Sequence, residues 1–411
     1  MTRSQHFDHG GHTIKPLNVR QLEGIAILAI CVTAVLWIAV TGSIPASQEI
    51  IRLFLFATLF LVIKVLFIKD MPSPTASGAI VMAIGIFING AIGAFPILNN
   101  LARSLTLILL LLFVFIAASY LSDLVKGRAF GTHFANPIGR FAVGTWIAGT
   151  SVCGVALCQR LPEWKPLVQV MVLGNIGLWL YFAYQAMGSF LQFFRDETRQ
   201  KVHGVLFLSA VSTQSLVIVW KAAFGDSPMY RSVAPWAILL GVVFYFVSFY
   251  LVARRYAGEG GDFDLDRDWY NTNCITHGAM SITGLASVVC GVIPTSLTLM
   301  VWLWVISWFV IIELIEIARA IKRTRMYGLA GGLLVYNPTQ WSRNFTFGML
   351  YAFNMNFDLP AGVAREPLLL SLHQTIHDYF AWIVLGLLLL EITVFLRDRL
   401  SPVTAAPESI S

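Results

Sequence analysis

Long apolar segments separated by short polar ones extend along almost the whole chain. An α-helix needs about 20 apolar residues to cross the hydrocarbon core of a bilayer, and twelve segments come close to that length. The pattern therefore predicts an all-α integral membrane protein. The segments fall at residues 22–42, 48–69, 76–98, 102–125, 138–158, 167–194, 203–224, 232–253, 270–293, 296–320, 340–357 and 372–396.

Composition and charge agree with this prediction. Of the 411 residues, 57% are hydrophobic and 12% are charged, whereas soluble domains contain about 25% charged residues. Cytoplasmic loops of membrane proteins carry an excess of lysine and arginine, and the sequence satisfies this bias when both termini are cytoplasmic. We therefore expect a multi-pass protein of the plasma (inner) membrane, surrounded by lipid. The net charge of +6 reflects this orientation and indicates no nucleic-acid partner.

The apolar segments alternate in side-chain size. From the third segment onward, odd-numbered segments are rich in small residues, as in SGAIVMAIGIFINGAIGA, and even-numbered segments are bulkier, as in LTLILLLLFVFIAASYL. Small residues let helices approach closely or line a narrow lumen, whereas large apolar residues suit a surface that faces lipid. The alternation predicts helical hairpins that each contain one inner and one outer helix. Tight packing alone would explain any single segment of this kind.

Each of the small-residue segments contains a short motif. Together the motifs are similar, in the same order, to those of the tellurite-resistance/dicarboxylate transporter family, which includes the malic acid transport proteins of fungi and the slow-type anion channels of plants. The resemblance covers residues 76 to about 398. The motifs are GAIVMAIGIF (78–87), FAVGTWIAGTSVCG (141–154), AVSTQSLVI (210–218), ITHGAMSITGLAS (275–287) and YNPTQWSRNFTFGM (336–349).

The resemblance implies both a fold and a function. The fold is a ten-helix core at 76–398, in which five inner/outer hairpins surround a central pore. The function is transport of small anions: C4-dicarboxylates such as malate, or inorganic anions such as chloride, nitrate, sulfite or tellurite. A homotrimer is implied as well. This chain differs from the family by an extra N-terminal transmembrane hairpin at 22–70, and we expect cytoplasmic tails at 1–21 and 399–411.

The segment WSRNFTFGML, residues 341–350, carries the candidate gate. The resemblance implies that Phe345 plugs the pore, because an aromatic ring across a narrow lumen denies water to ions. Thr346 replaces the family's usual proline, so we expect a gentler helix bend. Arg343 is the candidate mouth charge, since a cation there would attract anions. The alternatives are a head-group anchor for Arg343 and a packed core aromatic for Phe345.

Few ionisable residues fall inside the predicted spans, so hydroxyl and amide groups are the main candidates for an anion path. His277 is the best candidate for a titratable pore group, and the alternative is a hydrogen bond between helices. The other candidate pore-lining residues are Thr145, Thr150, Ser212, Thr213, Gln214, Thr276, Ser281 and Thr346.

Two other function classes stay open. A membrane-embedded enzyme would need a cluster of inward-facing acidic or histidine residues. The carboxylates of the loop 258–269 alternate instead of following the i, i+4 helical spacing expected of a magnesium-binding membrane enzyme, which favours a solvated loop. Another twelve-helix secondary transporter would carry signature loops where this chain has IKDMPSP and RDETRQKV. We therefore predict a transporter that is not an enzyme and has no cofactor or bound metal.

Overall fold

The computed structural model describes residues 73–195, 202–258 and 263–400, and these residues form helices without any strand. The predicted N-terminal tail, the hairpin 22–70 and residues 401–411 lie outside the described residues. The α-helices are α1 (Gly78–Asn89), α2 (Pro96–Asn100), α3 (Ala102–Val125), α4 (Gly144–Arg160), α5 (Lys165–Arg195), α6 (Leu208–Phe224), α7 (Pro228–Gly258), α8 (Ile275–Cys290), α9 (Thr295–Gly332), α10 (Trp341–Asn356) and α11 (Pro367–Leu400).

Seven segments of the described chain are long and apolar enough to cross a membrane. They contain the helices α3, α4, α5, α6, α7, α9 and α11. The described part is therefore an all-helical membrane protein, in agreement with the hydropathy pattern. The three other predicted spans in this part correspond to α1, α8 and α10, which have only 12, 16 and 16 residues.

The predicted span 76–98 is wrong as a single helix. Helix α1 ends at Asn89, a 3-10 turn follows at Ala91–Ala94, and α2 starts at Pro96. The break has a local cause, because a residue that precedes proline is disfavoured in helical conformation. Phe95 is extended, with φ −120° and ψ 96°. The apolar run continues across the break, so hydropathy alone does not reveal it.

Each helix rich in small residues begins directly after a 3-10 turn. We call these five helices, α1, α4, α6, α8 and α10, the inner helices. The turns extend the apolar segments toward their N-terminal ends, so they account for part of the predicted span lengths. They lie at Thr75–Ser77, Gly139–Val143, Gly204–Phe207, Asn271–Cys274 and Pro338–Gln340.

The inner helices contact one another in a closed cycle. Helix α1 packs against α4, α4 against α6, α6 against α8, α8 against α10, and α10 against α1. The five 3-10 turns contact one another in the same cyclic order. Because every turn lies at the start of its helix, the N-terminal ends of all five inner helices meet at one end of the bundle. We call this set of five 3-10 turns the N-terminal ring.

The longer helices α3, α5, α7, α9 and α11 pack on the outside of this cycle, and we call them the outer helices. Helix α5, for example, contacts α4 and α6, and α7 contacts α6 and α8. The apolar windows of α4 and α6 are 78% buried, whereas those of the outer helices are 22–44% buried. Large apolar side chains on the outer helices are left exposed, as expected for a surface that faces lipid.

A glycine allows close approach at every contact of the cycle. At each of these positions a Cβ atom would lie 2.8 Å or less from the neighbouring segment, which is closer than real side chains come. Any larger residue would therefore push two inner segments apart. The glycines and their neighbours are Gly78 with Thr145, Gly144 with Leu208, Gly204 with Thr272, Gly278 with Thr346, and Gly348 with Ile86.

Candidate functional site

The N-terminal ring brings five helix starts together. Each peptide unit of a helix has a dipole, and the sum places about half of a positive elementary charge at the N-terminal end. Five such ends that contact one another in a cycle create one electropositive region. Helix N-terminal ends of this kind can bind anions without a lysine or arginine side chain.

Three sides of helix α10 are assigned by its contacts. Gly348 lies against Ile86 of α1, and Thr346 lies against Gly278 of α8. Phe347 stacks with Phe380 of α11, with ring centroids 6.3 Å apart, and also contacts Phe309 of α9. Two sides of α10 therefore face neighbouring inner helices, and a third faces the outer helices.

The remaining side of α10 carries Phe345, Met349 and Phe353. These residues are four apart, so they lie in one row along the helix, and they are 1%, 1% and 0% exposed. The row lies roughly opposite Phe347, on the side away from the outer helices. The ring of Phe353 reaches α8, where its Cζ atom is 2.2 Å from the position of a Cβ on Gly284. The predicted gate residue thus belongs to a buried row of large side chains.

Arg343 is paired with carboxylates of the outer helix α9. Its guanidinium lies 2.7 Å from Glu316 and 3.3 Å from Glu313. Glu316 also accepts a hydrogen bond from the indole of Trp269 at 2.8 Å. The two carboxylates offset the positive charge of Arg343 and hold it toward the outer helix. Its position therefore gives no support to the predicted role of a free mouth charge.

His277 is fully buried and is turned toward aromatic rings. Phe309 of outer helix α9 lies edge-on to it at 5.2 Å, and Phe347 lies edge-on at 6.2 Å. Neither ring nitrogen has a hydrogen-bond partner among the described residues. The structure thus places the candidate titratable group in an apolar pocket between inner and outer helices. The alternative role, a hydrogen bond between helices, is not observed either.

Several predicted path hydroxyls donate their proton to carbonyls of their own segment. Thr145 donates to the carbonyl of Ala142 at 2.7 Å, and Thr346 donates to that of Arg343 at 2.9 Å. Ser212 and Ser281 make equivalent bonds, to Ser209 and His277, and Thr276 is buried. A hydroxyl has one proton, so these groups offer only lone pairs to a ligand in this conformation.

Three other predicted path residues lie toward the outer helices. Thr150 lines a groove between α3 and α5, and Thr213 accepts a hydrogen bond from Trp179 of α5 at 3.0 Å. The amide of Gln214 donates to the carbonyl of Ile238 of α7 at 3.0 Å. These side chains join the inner cycle to the outer helices. The rotation of a helix about its own axis decides which neighbouring helix a side chain faces. Residue type does not reveal that rotation.

The sequence reasoning missed a polar junction beside the N-terminal ring. His203 Nδ1 lies 2.7 Å from the hydroxyl of Thr272 and accepts a hydrogen bond from the backbone N–H of Val205. The imidazole stacks on Tyr270 at 4.2 Å. His203 precedes the membrane-spanning segment, and burial lowers its pKa to about 3. The sequence signal for this junction is a polar residue, His203, directly before a segment rich in small residues.

Two carboxylates of the loop 258–269 form ion pairs, and a third, Asp268, accepts a hydrogen bond from the backbone N–H of Asp264 at 2.7 Å. Asp264 lies 3.1 Å from Lys322, and Asp266 pairs with Arg323. The hydrogen bond from Lys322 lowers the pKa of Asp264. Across the described residues, no group of three or more His, Cys, Asp or Glu side chains is placed to hold a metal ion. These ion pairs therefore hold the loop against α9.

Comparison with known proteins adds no assignment. No family model matches the sequence, and no curated protein matches it either. The motif resemblance and the geometry of the inner cycle are therefore the basis for the function proposed below.

Proposed function

We propose that the protein moves small anions across the membrane along the axis of the five inner helices. The anions are C4-dicarboxylates such as malate, or inorganic anions such as chloride, nitrate, sulfite or tellurite. The observation that carries the proposal is the N-terminal ring, in which five helix starts contact one another in a closed cycle. The motif resemblance to the tellurite-resistance/dicarboxylate transporter family points the same way.

The charge preference follows from the backbone of the ring. Each helix start contributes about half of a positive elementary charge, and the five starts share one end of the bundle. The charge of Arg343 is offset by Glu313 and Glu316, so Arg343 adds little to this preference. An anion that approaches the axis at this end is stabilised, whereas a cation is repelled.

Phe345, which lies in one row with Met349 and Phe353, closes the axis in this conformation. Large apolar side chains across a narrow lumen exclude water and thereby block ions. Gly284 gives the ring of Phe353 room to lie against α8. Rotation of Phe345 away from the axis opens the path.

Anion flux into reconstituted vesicles tests the proposal, with malate, chloride, nitrate and sulfite measured side by side. Phe345→Ala removes the gate and should raise the flux of the transported anion at least about tenfold, because the barrier of a dry constriction is lost. Phe347→Ala is the matched control, since it removes a ring from the same helix on the side that faces Phe309 and Phe380. It should leave flux near the wild-type level.

The comparison of the two variants decides whether Phe345 closes a path or only packs in the core. If a folded Phe345→Ala protein shows wild-type flux, or if both variants leak equally, then Phe345 does not close a path. Absence of flux for all anions in every variant would count against transport itself.

We also propose that the protein lies in the plasma membrane with both termini cytoplasmic. We propose a homotrimer as well, which the mass of the protein in detergent would test.

A further inference from the structure

A cavity of about 390 Å³ lies between α9, α10 and α11, close to the N-terminal end of α10. Glu316, Arg319 and Arg323 of α9 form one wall, Asn344 of α10 contributes a second, and Glu391 of α11 a third. The cavity lies on the side of α10 that faces the outer helices, so it is separate from the row that contains Phe345. The proposed anion path does not use these groups.

The arginines around this cavity already have acidic partners. Arg343 pairs with Glu316 at 2.7 Å and with Glu313, and Arg323 pairs with Asp266. Arg319 donates to the side chain of Asn271 at 2.7 Å and lies 3.8 Å from Glu316. The guanidinium charges are therefore balanced by nearby carboxylates. A small anion alone would gain little net charge stabilisation here.

Of the two glutamates that line the cavity, Glu391 takes part in none of these ion pairs. It is 8% exposed, and its Oε1 atom has no hydrogen-bond partner among the described residues. Asn344 is 4% exposed, and its Oδ1 atom is likewise unpartnered in that part of the chain, as is Nε of Arg319. Unpartnered buried polar groups are costly. The side chains that line the cavity thus carry two buried unpartnered acceptors, one of them on a carboxyl group, and one charged donor.

The rim of the same cavity is apolar and open. Leu390 of α11 is 50% exposed, and Leu333 and Val335, in the segment after α9, are 38% and 52% exposed. Polar groups deep in the cavity beside an exposed apolar rim match the two parts of a lipid. Leu390 lies on an outer helix, where lipid is the expected neighbour.

We propose that this cavity binds the phosphoethanolamine head group of a lipid. The ammonium group donates to Glu391 and Asn344, and the phosphate accepts from Arg319. The acyl chains lie along Leu390 and Val335. This head group supplies a cationic donor and an anionic acceptor together, which is the combination that the unpartnered groups require.

Lipids with identical acyl chains and different head groups test the proposal. Phosphatidylcholine carries the same charges as phosphatidylethanolamine but has no N–H donor. Native mass spectrometry of the purified protein should show about tenfold greater retention of phosphatidylethanolamine, the change expected for a charge-assisted hydrogen bond. The same lipid should raise the thermal unfolding temperature more than phosphatidylcholine does.

Variants locate the effect. Glu391→Gln should markedly reduce the difference between the two lipids, because it removes the charge from one of the two acceptors. Each variant is compared with itself, so an effect on stability does not enter the comparison. Asp378→Asn is the matched control: it removes a carboxylate from the same helix that is exposed and paired with His377 at 2.8 Å. It should keep the full preference for phosphatidylethanolamine.

Four outcomes would overturn the assignment. Equal retention of the two lipids by the wild type rules out the ammonium contact, and an undiminished preference in Glu391→Gln places the contact elsewhere. Full protection by soluble phosphoethanolamine without any lipid would show that the ligand is a free solute. Preferential retention of phosphatidylglycerol would indicate general attraction to basic residues instead.

Discussion

Substitution of Gly204 by alanine tests the close approach between α6 and α8. A Cβ at this position would lie 2.0 Å from the carbonyl oxygen of Thr272 and 2.6 Å from Cα of Asn273. Both neighbours are backbone atoms, so no side-chain rotation relieves the clash. The distance from the new Cβ to this oxygen must increase from 2.0 Å to at least 3.0 Å, and the two 3-10 turns separate.

The magnitude follows from overpacking. Added methyl groups in a packed core cost about 1–3 kcal/mol when neighbours adjust, and a rigid backbone neighbour places this substitution at or above about 3 kcal/mol. Separation also breaks the bond from the Gly204 N–H to Asn273, which is 2.9 Å long. We therefore expect a free energy of unfolding lower by about 3–4 kcal/mol, measured by denaturant titration of the protein in mixed micelles.

Gly174 provides the matched control. It lies in the outer helix α5, and a Cβ there would meet nothing within 4 Å. Gly174→Ala should be neutral or stabilise by up to about 1 kcal/mol, because alanine favours the helix. If Gly204→Ala is as stable as the wild type, the two turns do not approach as described. Equal losses in both variants would point to a general sensitivity of glycines.

Two further predictions concern charge. Because burial lowers the pKa of His203 to about 3 from an ordinary value of about 6.5, its contribution is complete above pH 6.5. Protonation of the unfolded chain should reduce stability by about 2 kcal/mol at pH 5, and His203→Gln should flatten the pH profile of thermal unfolding. Arg343→Met leaves Glu313 and Glu316 without their partner and should cost about 3 kcal/mol or more, which Glu316→Gln partly restores. The anion selectivity of the Arg343→Met protein in flux assays should equal that of the wild type, whereas loss of a mouth charge would change it.

Hydropathy located the outer helices well. The predicted span 102–125 coincides with α3, and 167–194 differs from α5 by only a few residues. Each of these segments is apolar on most sides, so its length alone defines it. The 3-10 turns and the break after Asn89 depend on backbone geometry. Apolar composition continues through the break and through the turn Gly204–Phe207, so hydropathy could not show either of them.

The candidate site was harder to predict than the helices. Small residues marked the inner helices, but one residue along a helix turns the side chain by about 100°. Thr213 and Gln214 fall on an inner helix and yet bond to outer ones. His277 likewise lies on an inner helix, and its ring faces Phe309. Composition therefore selects the helix, whereas tertiary contacts select the face.

The same contacts bear on the proposed preference for anions over cations. Hydroxyl protons such as that of Thr145 are committed to carbonyls, and the charge of Arg343 is offset by carboxylates. Backbone dipoles keep a direction that is fixed by the helix itself, although Asn273 and His203 already accept hydrogen bonds from the N–H groups of Gly204 and Val205. The close glycine contacts keep the helix starts together. The packing that stabilises the inner cycle therefore also concentrates positive potential at its N-terminal ring.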